Sequence, residues 1–187
     1  MEPEVTFSSA ALLPAIVVNS PDLKVVIGLI VLVILLFISA LMSGSEVAFF
    51  SLRPDEIEKL KSRKSKKASK ALKLYDSPDK LLSTILVANN TVNIAIVLLA
   101  AFLSARTFNF SSNPVLGFIV EAVAITFLIL FFGEIFPKVF ATKNQVPMVL
   151  FMAFPMSFLE KLFGPLTSFL IFSTSFVRKR TGIKHSN

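Results

Sequence analysis

At 187 residues the chain is long enough for one globular domain, yet 54% apolar residues and 20 Phe, with a mean hydropathy of +0.75, exceed what a soluble core of that size hides. A lipid bilayer is the solvent this composition fits. The net charge of +7 rests on only 17% charged residues, so the basic side chains are few and concentrated, which excludes a dispersed surface for nucleic acid. There is no Cys and the single His185 sits in a polar tail, which argues against disulfides, thiolate metal sites and histidine catalysis.

In chain order, segment 1–23 contains an apolar stretch, Ala10 to Val18, preceded by Glu2 and Glu4 and by no Lys or Arg. Without a positive n-region it does not read as a cleaved signal peptide. Three apolar runs follow that can cross a bilayer, which takes about 20 helical residues: 24–52, 81–105 and 114–136. The connection between the first two carries ten basic residues from Arg53 to Lys80, whereas segment 1–23 carries none and the 105–117 connection only Arg106. The positive-inside rule then places the N-terminus outside and the C-terminus in the cytoplasm. Pro54, Asp55, Glu56 and Glu58 ahead of a run of lysines predict one cytoplasmic helix over 54–75. It reads as an orientation determinant with a solvated face, or as a ligand for anionic lipid, and the two are compatible. Region 146–177 is apolar but interrupted at Glu160-Lys161 and Gly164-Pro165, which predicts a juxtamembrane hairpin of short interfacial or re-entrant helices rather than a fourth crossing. The fold class is therefore an all-α membrane protein: an extracytoplasmic segment 1–23, a three-helix core with its basic helix over 24–145, and a juxtamembrane region with a basic tail over 146–187.

Polar groups inside spans are expensive and mark candidate sites. Ser39 and Ser43 lie four apart on one face of the first span, with Gly44 beside them; Asn89 and Asn93 repeat that spacing in the second, with Asn90 adjacent; Glu134 follows Gly133 in the third and precedes Pro137. Pro137 lacks an N–H and so frees a carbonyl one turn earlier, near Gly133. Counted from Arg53, Lys80 and Lys138, all of these fall in the inner half of the bilayer. Hydroxyl, amide, backbone carbonyl and one carboxylate are hard oxygen donors, suited to Mg²⁺, Ca²⁺ or Na⁺ and not to zinc or copper. The same groups also serve as hydrogen-bond glue between helices, with Glu134 snorkelling or pairing with Lys138 at i+4. Glu46, near the interface, reads as a cap or gate. No acid and base pair, activated nucleophile or phosphate-binding glycine loop is present, so no enzyme is expected.

Taken together, Ser39-x-x-x-Ser43-Gly44-Ser45-Glu46-Val47-Ala48, Asn89-Asn90-x-x-Asn93-Ile94 and Gly133-Glu134-Ile135-Phe136-Pro137-Lys138 resemble the transmembrane domain of the CorC/CNNM family over about 24–180. The resemblance implies a Mg²⁺ transporter of the bacterial inner membrane, commonly described as a Na⁺-coupled exporter, that forms a homodimer. It places Mg²⁺ on Ser39, Ser43, Asn89, Asn93 and Glu134, with carbonyls near Gly44 and Gly133 and with Asn90 as a neighbour. It also implies that a full-length chain continues into cytoplasmic CBS domains that bind adenine nucleotides. The wording of the first motif looks most like the gliding-motility-associated bacterial branch, which leaves a membrane scaffold or accessory subunit of a motility or secretion assembly as the competing function.

Overall fold

The computed structural model describes residues 17–18, 22–109 and 114–169. The fold is helical, and three helical stretches are long and apolar enough to cross a membrane: Leu23–Phe50, Pro78–Thr107 and Pro114–Lys143. The first is α1 (Leu23–Phe50). Two short helices follow, α2 (Pro54–Ser62) and α3 (Lys66–Tyr75), then the second span, α4 (Pro78–Thr107). The third span is composite: α5 (Pro114–Leu128), a wide π-helical stretch (Ile129–Ile135) and α6 (Phe136–Lys143). Then comes α7 (Gln145–Leu162). A two-residue antiparallel pairing, β1 (Val17–Val18) with β2 (Phe108–Asn109), ties the chain ahead of α1 to the end of α4. That pairing matches the antiparallel course of α1 and α4, whose other ends are joined through the basic connection.

The single helix expected over 54–75 is in fact a helical hairpin. A straight helix of that length would carry the chain about 33 Å from the end of α1, whereas α4 must start beside it. The break falls at Arg63, whose backbone is extended, and Ser65 restarts the helix as its N-cap by accepting a hydrogen bond from the Ala68 N–H at 3.2 Å. At the start of α2 the Glu56 carboxylate accepts from the Arg53 backbone N–H at 2.9 Å. Glu56, and after it Asp55, also hold the exposed Arg53 guanidinium above its ordinary pKa.

The juxtamembrane region departs from expectation too. α7 runs unbroken through Pro155 and Glu160-Lys161. Lys80 on α4 reaches Glu160 at 3.2 Å, so the charge pair anchors the helix instead of ending it. The expected interruption at Gly164-Pro165 does occur: the helix stops at Phe163 and restarts over 164–169, with Pro165 in the first turn, where its missing N–H costs nothing. The second arm beyond 169, the basic tail and nearly all of segment 1–23 lie outside the described residues.

The main core gathers at the basic end of the bundle. Met42, Ala48 and Phe49 of α1 pack with Leu60 of α2, Ala68, Ala71 and Leu74 of α3, Leu81 and Ile85 of α4, Ala141 of α6 and Val149, Met152 and Met156 of α7. Away from it, large apolar side chains such as Val33, Phe37, Leu98 and Phe118 stand exposed at 60–71%, the distribution required of helices whose outer faces meet lipid tails.

Candidate cation site

Three spans converge on Ser39, which is fully buried. Its Oγ lies 3.0 Å from Asn89 Oδ1 and 2.8 Å from Asn93 Oδ1. The i, i+4 spacing on α4 is what stacks the two amides on one face. From the third span Gly133 closes over the same hydroxyl: a Cβ there would stand 3.0 Å from Ser39 Oγ, so any side chain would press the serine back from its partners. One turn toward the basic end, Ser43 Oγ approaches the Glu134 carbonyl at 3.5 Å, the outer limit of a hydrogen bond.

Gly44 does a related job on the next face of α1. A Cβ at Gly44 would meet Met148 Cε at 2.8 Å and the Pro137 carbonyl oxygen at 3.4 Å, so α6 and α7 can press against α1 beside the serine pair. Pro137 is buried at the start of α6, where the wide turn ends. Because Pro137 lacks an N–H, the last carbonyls of the Ile129–Ile135 stretch cannot all find helical donors. π stretches of this kind recur at functional sites.

Charge is distributed differently from expectation. Lys138 does not pair with Glu134; its Nζ sits 3.3 Å from Glu46 Oε2, across the α1–α6 interface. Both side chains are about 40% exposed, so the pair is a surface bridge worth under about 1 kcal/mol. The Glu134 carboxylate, half-buried, makes no hydrogen bond or ion pair among the described residues. The backbone carbonyl of Glu134, through Ser43, is what places this residue beside the polar seam. Asn90, by contrast, is exposed and points away from Ser39. No group of three or more His, Cys, Asp or Glu gathers among the described residues, so the donors here are neutral oxygens with one carboxylate nearby.

The spacing of these oxygens has chemical content. Oxygen ligands about 2.0–2.1 Å from Mg²⁺ in an octahedron lie about 2.9 Å from one another, and the more crowded shells of six to eight ligands around Ca²⁺ give similar contacts. The Ser39, Asn89 and Asn93 oxygens fall at 2.8 and 3.0 Å, the length of ordinary O–H···O hydrogen bonds and also a spacing that neighbouring ligands of a hard cation adopt. A hydroxyl has one proton, so it donates to one amide oxygen at a time and leaves the other facing a lone pair. Two features of the site were not legible in the sequence: the π stretch and the Glu46–Lys138 bridge. The Gly133-to-Pro137 spacing was the available signal for the first, while the second depends on α6 lying beside α1. A neighbouring groove of about 610 Å³, lined by Phe37, Ala40, Phe132, Phe136, Phe140 and Met148 among others, is almost wholly apolar and contributes no ligand atoms.

Fold and seam together define a polytopic helical membrane domain with an oxygen-lined junction of three spans in the half nearer its basic end. The chain belongs to the Cyclin M transmembrane N-terminal domain family, whose pattern matches residues 30–187. It is 37% identical over 122 residues to a UPF0053 protein of Haemophilus influenzae, covering 65% of this chain and 28% of that protein. Over 104 residues it is 31% identical to the UPF0053 inner membrane protein YfjD of Escherichia coli, covering 56% of this chain and 23% of the relative. The match thus spans about a quarter of the length of these relatives.

Proposed function

We propose that this chain is the membrane domain of a Mg²⁺ transporter, with the transported ion bound by Ser39, Asn89 and Asn93 and drawn there by Glu134. The observation that carries the reading is the buried Ser39 hydroxyl held between two amide oxygens at 3.0 and 2.8 Å, which gathers hard oxygen donors from two spans at a spacing that fits the ligand shell of a hard cation. Membership of a family associated with Mg²⁺ transport supports it. Ser43 and the carbonyls near Gly133 and Gly44 supply further oxygens along the same seam, and Mg²⁺ retains water at the remaining positions. A single carboxylate leaves the ion incompletely neutralised, which suits a cargo that must leave again. With the basic end in the cytoplasm, the site is loaded from inside and the domain acts as an exporter, with Na⁺ as coupling ion, in an inner-membrane homodimer whose full-length chain bears CBS domains. It is a transporter and not an enzyme.

A second reading follows from the same distances. If one amide turned so that its NH₂ donated to Ser39, the seam would be self-satisfied glue between helices. Purified protein in detergent decides between them. As a site, it gains thermal stability saturably with millimolar-order MgCl₂, more than with CaCl₂ or NaCl, and the gain disappears in Glu134→Gln. As glue, melting is indifferent to Mg²⁺ in both proteins, which would sink the transporter site. Mg²⁺ flux in proteoliposomes then tests transport itself.

A further inference from the structure

The α2–α3 hairpin carries a charge arrangement that ion binding between the spans does not use. Between the two helices lies a hollow of about 520 Å³ lined by Lys61, Arg63, Lys64, Lys66 and Lys73, with Asp76 its one acidic residue and Ser65 and Ser69 as hydroxyls. All five basic side chains are exposed, and none forms an ion pair among the described residues. Of the acids on α2, Asp55 faces Arg53 and Lys59, Glu56 faces Arg53, and Glu58 is exposed and does not line the hollow. Five cations around one carboxylate repel each other, and an anion entering the hollow relieves that repulsion.

A second contact fixes the level of the hairpin relative to lipid. Lys70 Nζ sits 5.0 Å from the centroid of the Phe154 ring. Phe154 belongs to a row on α7, with Phe151 and Phe158, exposed at 44–65%, an apolar face that only lipid tails solvate well. Lys66, Lys70 and Lys73 recur at i, i+4 and i+7, so they share one side of α3. The cation stacked on a lipid-facing ring therefore marks the boundary between tails and headgroups, and its neighbours Lys66 and Lys73 open into the hollow at that boundary.

We propose that the α2–α3 hairpin is a binding site for anionic phospholipid headgroups of the leaflet at the basic end of the bundle. Arg63 offers a planar fork for two phosphate oxygens, and the lysines add point charges whose attraction reaches about one Debye length. Lys66 and Lys73 share a side of α3 with Lys70, which rests on the Phe row, and this proximity favours a phosphate anchored to acyl chains over a free one.

The chain has no Cys, so Ser69→Cys provides a unique label inside the hollow. The fluorescence of this labelled protein is measured in phosphatidylcholine vesicles containing equal fractions of phosphatidylglycerol or phosphatidylcholine spin-labelled near the glycerol. Quenching by the phosphatidylglycerol is expected to exceed that by the phosphatidylcholine by about threefold or more at 0.05 M NaCl and to approach parity at about 0.5 M. The preference is also expected to vanish when Lys61, Arg63, Lys64, Lys66 and Lys73 are all changed to Gln. Equal quenching by the two lipids at low salt overturns the proposal, as does a preference that survives high salt or the fivefold substitution. Displacement of the labelled phosphatidylglycerol by millimolar ATP would also overturn it, reassigning the hollow to soluble phosphates. The salt arm uses the charged residues of the wild-type sequence, so it holds even if the fivefold variant fails to fold.

Discussion

The two halves of α1 obey different packing rules. From Leu23 to Phe37 the helix is almost purely aliphatic, yet it buries only Val25 and Gly28; from Ser39 to Phe49, where serines, glycine and alanine interrupt it, seven residues are buried. The third span repeats the contrast, for α5 buries Gly117 alone while the π stretch and α6 bury Gly133, Pro137 and Ala141. Lipid tails are as apolar as leucine, so greasiness alone gives a helix no reason to prefer another helix to the bilayer. Close approach is set by small residues, and specificity by the polar groups that small residues admit.

The most severe test of this contrast puts bulk into the polar half. Gly133→Leu must push the third span off Ser39, and we expect a loss of about 3 kcal/mol or more, seen as a collapse of the thermal transition followed by circular dichroism at 222 nm. Next comes Glu134→Gln, which leaves the fold intact because its carboxylate has no partner among the described residues. It should weaken Mg²⁺ binding by tenfold or more in titration calorimetry, since a divalent ion gains far more from a carboxylate than from an amide. Wild-type affinity in that variant would remove Glu134 from the site.

Smaller effects sharpen the picture. Ser39→Ala deletes the hydroxyl shared by Asn89 and Asn93, and we expect a stability loss of about 1 kcal/mol in chelator, with the Mg²⁺-dependent stabilisation abolished on top of it. A loss of equal size with and without Mg²⁺ would favour glue. Glu46→Gln should lower stability by under about 1 kcal/mol, an effect that shrinks in high salt. Least of all, Gly28→Ala in the apolar half meets only the flexible end of Leu103, at 2.5 Å from Cδ2. That side chain can rotate, so melting should shift by no more than a few degrees; a large shift would show that the outer half is as tightly packed as the inner.

The spans were legible because hydropathy over about 20 residues needs no knowledge of partners. The serine and asparagine pairs were legible for a similar reason: a four-residue spacing fixes a helical face whatever lies opposite. What escaped the sequence depends on where separate helices end up. Lys138 has Glu134 at i−4 and reaches Glu46 instead, because α6 lies against α1, which local spacing cannot reveal. The 54–75 helix bends because α4 must return to α1, a requirement of the whole bundle. Asn90 shares its neighbours' chemistry but faces outward, and helical geometry alone would have set it apart from Asn89 and Asn93.

The π stretch at Ile129–Ile135 makes the third span a jointed rod. A wide turn stores one residue beyond what an α-helix would use, and releasing it would turn one arm of the rod by about 100° against the other and lengthen it by about 1.5 Å. Gly133 and Glu134 ride on this joint, so the backbone that closes over Ser39 and the carboxylate beside it would swing together. A change of one residue in winding there would therefore reach the seam as a rotation.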